Sequence, residues 1–95
     1  MTTEGTQMGA MLGADAARMA YEDRHDDYGD AADNLGRIGV VWGELLGWGE
    51  IDPDMVALML AAMKLVRASS RLNRDDLVDG VAYLMLADDI RGKQE

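Results

Sequence analysis

Residues 52–91, DPDMVALMLAAMKLVRASSRLNRDDLVDGVAYLMLADDIR, decide how this chain folds. Asp52 suits a helix cap, Pro53 suits the first helical position, and Asp54 complements the positive end of the helix dipole. The body from Met55 to Arg67 is apolar nearly all round, through Met55, Val56, Leu58, Met59, Leu60, Met63, Leu65 and Val66. A helix without a wide polar face has to be covered on several sides. In so short a chain, part of that cover is expected from a second subunit; a central helix in a monomeric bundle is the alternative. Asn73 caps a following helix from about Arg74 to Arg91, closed by Gly92, with Leu77, Val81, Leu84 and Met85 as its core face. The connection around Arg71-Leu72 is only a few residues long, so the two helices are antiparallel neighbours.

Upstream, a helix is predicted from about Ala31 to Leu46. Leu35, Ile38, Trp42 and Leu45 recur at spacings of three and four and make one apolar seam. Gly36, Gly39, Gly43 and Gly47 form a second stripe beside it. A glycine inside a helix costs about 1 kcal/mol relative to alanine, so the stripe implies close approach of another helix backbone or of a ligand, and helix packing is the favoured reading. A first helix is predicted from about Ala10 to Arg24 on Met11, Leu12, Ala16, Met19 and Ala20. Residues 1–9 read as a flexible polar tail. Nowhere do apolar and polar residues alternate between turn signals, so no strand is expected. The predicted fold is all-α: a single small four-helix bundle over residues 10–92, oligomeric in solution.

Composition narrows the function. The 95 residues allow one core, and 48% hydrophobic with 28% charged is a globular balance. The absence of cysteine excludes disulfides, thiolate metal sites and a cysteine nucleophile; a lone histidine, His25, excludes a multi-histidine zinc site within one chain. With 9 basic against 18 acidic residues the net charge is −9, the wrong sign for a non-specific binder of duplex nucleic acid. No apolar run reaches membrane-spanning length and no signal sequence opens the chain, so no membrane partner and a cytoplasmic location are expected.

Charged residues suggest where chemistry would sit. Lys64, Arg67 and Arg71 share one face of the third helix, and Asp75, Asp76, Asp79 and Tyr83 cluster on one side of the fourth. Folding the hairpin brings Lys64 level with Asp79 and Arg67 level with Asp76. Two readings stay open. In one, these are interhelical ion pairs at a solvated edge, worth about 0–1 kcal/mol each if exposed. In the other, Asp76 and Asp79 bind Mg²⁺ while Lys64 and Arg67 hold phosphate oxygens, since hard cations take carboxylate and phosphate oxygen and arginine offers phosphate a planar fork.

The segment from Asp75 to Asp88, DDLVDGVAYLMLAD, resembles a helical motif of MazG-like, all-α nucleoside triphosphate pyrophosphohydrolases. That resemblance implies that Asp76 and Asp79 stand where the family places two Mg²⁺-binding acids. The chain from about Arg24 to Asp88 also resembles a family of small actinobacteriophage and bacterial proteins. The shared pieces are Tyr28-Gly29, Asn34, Ile38, Trp42, Val56 to Met59, the Lys64-x-x-Arg67 pair, and Asp76-x-x-Asp79 with Tyr83. A related family associated with nucleotide modification in phage genomes has a similar Lys-x-x-Arg arrangement. Together these imply a phage protein that handles a nucleotide or its phosphates, with Lys64, Arg67, Asn34 and Tyr28 as binding residues. One departure stands out: MazG-like enzymes carry a Glu-x-x-Glu pair on the preceding helix, and the third helix here has no carboxylate after Asp54.

Other residues have bland readings beside the functional ones. His25 reads as a loop histidine, and Met55, Met59 and Met63 as a packing stripe. Trp42 and Trp48 fit a core or subunit contact before base stacking. Asn34 either positions a ligand or satisfies backbone groups near a helix start. The run Asp26, Asp27, Asp30 and Asp33 lacks the spacing of a calcium loop. The expected function is nucleotide binding, with Mg²⁺-dependent pyrophosphohydrolysis as its catalytic form. The alternatives are an acidic module that binds and inhibits a host protein, and nucleotide sequestration without hydrolysis.

Overall fold

The chain is described by a computed structural model over residues 3–23 and 30–94, with side chains described over 9–22 and 30–92. Among these residues four α-helices form: α1 (Thr3–Arg18), α2 (Ala31–Leu46), α3 (Pro53–Ser70) and α4 (Arg74–Gln94). No strand forms among them. The predicted bounds of α2 hold. Asp30 caps it, its side chain accepting from the backbone N–H of Ala32 and Asp33. Two ends differ from expectation. α1 begins at Thr3 rather than Ala10, so residues read as a tail are helical, and a π-helical turn over Met19–Asp23 continues it. α4 runs through Gly92 to Gln94 instead of closing there.

The α3–α4 hairpin carries the most extensive packing in the molecule, and α1 and α2 dock on it. α1 runs alongside α4 in the same direction. Arg74 at the start of α4 meets Asp15 at 2.6 Å, and the Tyr21 hydroxyl donates to the Met85 carbonyl further along. Small residues, Ala16, Ala20 and Ala82, line that seam with Leu86. A second cluster joins α2, the α2–α3 loop, α3 and α4 through Leu35, Ile51, Val56, Ala57, Ala87 and Ile90, with Trp42 packed against it.

The glycine stripe has an explanation other than the expected one. A Cβ on Gly39 would collide with the carbonyl of Ile51, and one on Gly43 with the carbonyl of Gly49. The backbone that approaches is the returning α2–α3 loop, neither another helix nor a ligand, and the Ile51 N–H donates to the Gly39 carbonyl at 3.2 Å. Gly47 ends α2 at φ 70°, with its own N–H on the Glu44 carbonyl and that of Trp48 on Gly43, the pairing of a Schellman motif. Gly36 faces open space. Gly36→Ala is therefore expected to raise stability by about 1 kcal/mol, and Gly47→Ala to lower it by about 1 kcal/mol because alanine resists a positive φ. Urea midpoints at unchanged m-value check both.

Several residues read as core are not. Leu45 is 78% exposed, and Met55, Met63 and Leu84 are exposed as well. α2 and α4 both pack against the half of α3 that carries Val56, Ala57 and Ala61, which leaves Met55, Met63, Leu65 and Val66 uncovered on the other half. Periodicity announces an apolar face but not whether one chain is large enough to cover it.

Candidate functional site

The short turn over Arg71, Leu72 and Asn73 sets the last turns of α3 against the first turns of α4. Asn73 fixes the start of α4 reciprocally: its Oδ1 accepts from the Asp76 N–H at 2.8 Å, and its Nδ2 donates to Asp76 Oδ2 at 2.7 Å. This variant of the capping box holds the Asp76 carboxylate, only 4% exposed, against α3. There Arg67 Nε lies 3.4 Å and Lys64 Nζ 3.9 Å from Asp76 Oδ1, while Lys64 Nζ lies 2.8 Å from Asp79 Oδ2. The four side chains proposed from spacing thus converge, with the pairing Lys64–Asp79 and Arg67–Asp76.

They form one side of an open depression of about 820 Å³, completed by Arg71 and Asn73 among others. Lys64 is mostly buried at its floor, whereas the Arg67 side chain is 58% exposed. Three cations (Lys64, Arg67, Arg71) and three carboxylates (Asp75, Asp76, Asp79) line the depression, so local charge balances in a chain of net charge −9. Among the described residues Arg71 makes no ion pair. The arrangement offers an anion the outer nitrogens of Arg67 and the guanidinium of Arg71.

As a metal site it is poorly furnished. One Asp76 oxygen accepts from Asn73, the other faces Arg67 and Lys64 at ion-pair distance, and one Asp79 oxygen is paired with Lys64. No group of three or more histidine, cysteine or acidic side chains converges among the described residues. Mg²⁺ is commonly held by one or two carboxylates together with water and phosphate oxygens, and here the two carboxylates face lysine and arginine.

Of the remaining predicted site residues, the one the structure describes is not brought here. Asn34 lies half-buried near the start of α2, its N–H on the Asp30 carbonyl, and is not among the residues lining the depression. Tyr28 and His25 lie outside the described residues. Trp42 packs into the core and Trp48 is absent from the lining, so no tryptophan stacks over the depression. Sequence reasoning missed the side-chain role of Asn73, which the Asn-x-x-Asp spacing signals. It also missed a latch at the hairpin's far end. Asp54, 7% exposed, accepts from Arg91 Nε at 3.0 Å and Nη2 at 2.9 Å, and its other oxygen takes the Met55 N–H. From sequence Asp54 is a dipole partner; the structure adds the pairing with Arg91.

Fold and site together define an all-α protein built on a helical hairpin with an interhelical cluster of paired charges. The profile of the domain of unknown function DUF6378 matches residues 11–91, and the chain belongs to that family. It is also similar to the Gene 55 protein of Mycobacterium phage L5, with 36% identity over 61 residues. That match takes in 63% of this chain and 39% of the phage protein, so the chain spans well under half the length of its relative. No solved structure matches. Among the described residues no helix is long and apolar enough to cross a membrane.

Proposed function

We propose that this is a phage-type nucleotide-binding protein that takes phosphate groups into the α3–α4 depression. The observation that carries the reading is the convergence of Lys64, Arg67, Asp76 and Asp79 on the wall of an open, solvent-reachable hollow edged by Arg71. Arg67, anchored through Nε, presents its terminal nitrogens as a fork for phosphate oxygens. Lys64 supplies positive potential from the floor, and Asp76 with Asn73 holds both cations in place. The resemblance of the segment from Asp75 to Asp88 to the MazG-like motif points to the same ligand class. Binding and sequestration are better supported than hydrolysis, because the carboxylates on hand are engaged by lysine and arginine. Any Mg²⁺ would arrive on the triphosphate and meet Asp79, which is held through one oxygen only.

Calorimetric titration with the common nucleoside mono-, di- and triphosphates tests this. Binding is expected, and Arg67→Ala is expected to weaken it about tenfold, the loss of roughly 1.4 kcal/mol from a charge-assisted contact. Asp79→Asn is expected to keep the fold and remove any dependence on Mg²⁺. Saturable binding that ignores Arg67→Ala, or no binding to any nucleotide, sinks the reading. Turnover in the same screen would restore the pyrophosphohydrolase form.

A second reading, a module that binds a host protein, is favoured by the outer face of α3. Met55, Met63, Leu65 and Val66 are exposed there with no charged residue among them, and methionine-rich faces adapt to varied partners.

A further inference from the structure

We propose that the outer face of α2 is a two-fold interface through which two copies of this chain associate. Ile38, Val41 and Leu45 recur along α2 at spacings of three and four, the seam of a coiled-coil pair, and Trp48 follows just past the Gly47 cap. Ile38 leans into the core, but Val41 is 56%, Leu45 78% and Trp48 72% exposed. An aromatic of that size in water beside two exposed aliphatics has the makeup of an interface anchor. The face is long enough for a helix pair, since α2 is 16 residues, about 24 Å.

Charge says what lies on it. Arg37 and Glu44 are both exposed, and each directly precedes a seam residue, Ile38 and Leu45. Neither forms an ion pair with any described residue, whereas Lys64, Arg67, Arg74 and Arg91 all do. In an isologous contact residue i meets residue j and j meets i. An antiparallel pairing of α2 with itself, centred between Ile38 and Val41, sets Ile38 beside Val41 of the second copy. The same register sets Arg37 against Glu44 of the second copy, twice over by symmetry. It carries Leu45 over the second copy's first helical turns, near Asn34. Moving the axis between Val41 and Leu45 would instead bring Glu44 against its own symmetry mate, and like charges oppose that register. Two chains of net charge −9 repel one another. A face where one cation and one anion answer each other reciprocally is where that repulsion is locally cancelled. A partner of another kind would have to present the same opposed pair at the same spacing, which a second copy does by construction.

The test is sedimentation or light scattering of the whole chain across a dilution series. A reversible dimer is expected. Leu45→Glu, at a solvent-exposed position, is expected to give a monomer with unchanged circular dichroism. Arg37→Glu is expected to raise the dissociation constant about tenfold, roughly 1.4 kcal/mol. The swap Arg37→Glu with Glu44→Arg is expected to bring it back, while Val66→Glu on the α3 face leaves it unchanged. A wild-type chain that stays monomeric overturns the proposal. So does a dimer indifferent to Leu45→Glu, or a double swap no tighter than Arg37→Glu alone. Should Leu45→Glu misfold, the charge swap decides by itself. None of these outcomes depends on nucleotide binding.

Discussion

Asp76→Ala is expected to lower stability by about 3 kcal/mol, the largest effect of any polar substitution in the described hairpin. The carboxylate is 4% exposed and accepts from Asn73 Nδ2, while Arg67 and Lys64 stand at 3.4 and 3.9 Å from its other oxygen. Removing it leaves the largely buried Lys64 ammonium with Asp79 alone and the Asn73 amide with only the Arg71 carbonyl at 3.3 Å. Breaking a buried pair by deleting one member typically costs 3–5 kcal/mol, and the lower end applies because Arg67 is half in water and its share is screened. Urea denaturation followed by circular dichroism measures the loss. Asp76→Asn keeps an acceptor for Asn73 and should lose less. A change under about 1 kcal/mol would show that the carboxylate is hydrated and that the cluster is an ordinary surface network. If nucleotide binding is real, Asp76→Ala should also weaken it, because Lys64 and Arg67 lose the group that orients them.

Gly39→Ala and Gly43→Ala are each expected to cost about 3 kcal/mol or more. Nothing soft is available to yield. The atoms a new methyl would strike are the backbone carbonyls of Ile51 and Gly49, so the loop itself must shift. At Gly39 the shift would also stretch the bond from the Ile51 N–H and disturb the packing of Val56, one of the two largest fully buried side chains. A loss of that size lowers the melting temperature of a domain this small by well over 10 °C, at about 4–8 °C per kcal/mol. Gly36→Ala, one turn away on the same stripe and facing open space, is the internal control. If all three behave alike, the loop does not press on α2 as described.

The hairpin and its charge register were legible because local rules fixed them. Asp52-Pro53 marked one start, Asn73 the other, and a turn too short to permit anything but antiparallel neighbours put Lys64 opposite Asp79. The helical limits of α2 were equally local. What the sequence could not disclose were non-local matters. The stripe of Gly39 and Gly43 announced close approach, but only the path of the loop shows that the approaching group is Ile51 and Gly49. The apolar runs of α2 and α3 looked like core because periodicity is blind to supply: Leu45 and Val66 are spaced as core residues would be, on helix faces that no described residue covers. The start of α1 was missed because its first residues are polar and weakly patterned. In the site, spacing found the charges, but not the Asn73 side chain that accepts from the Asp76 N–H and donates to its carboxylate.

The order of the elements along the chain carries its own consequence for biosynthesis. α1 rests on α4, and α2 on α3, so each earlier helix is covered by one translated after it. Domains fold as units while the N-terminal part emerges first, and here the emerging half lacks the helices that cover most of it. Docking of α1 and α2 is therefore expected to follow synthesis of the α3–α4 hairpin, which supplies the platform for both.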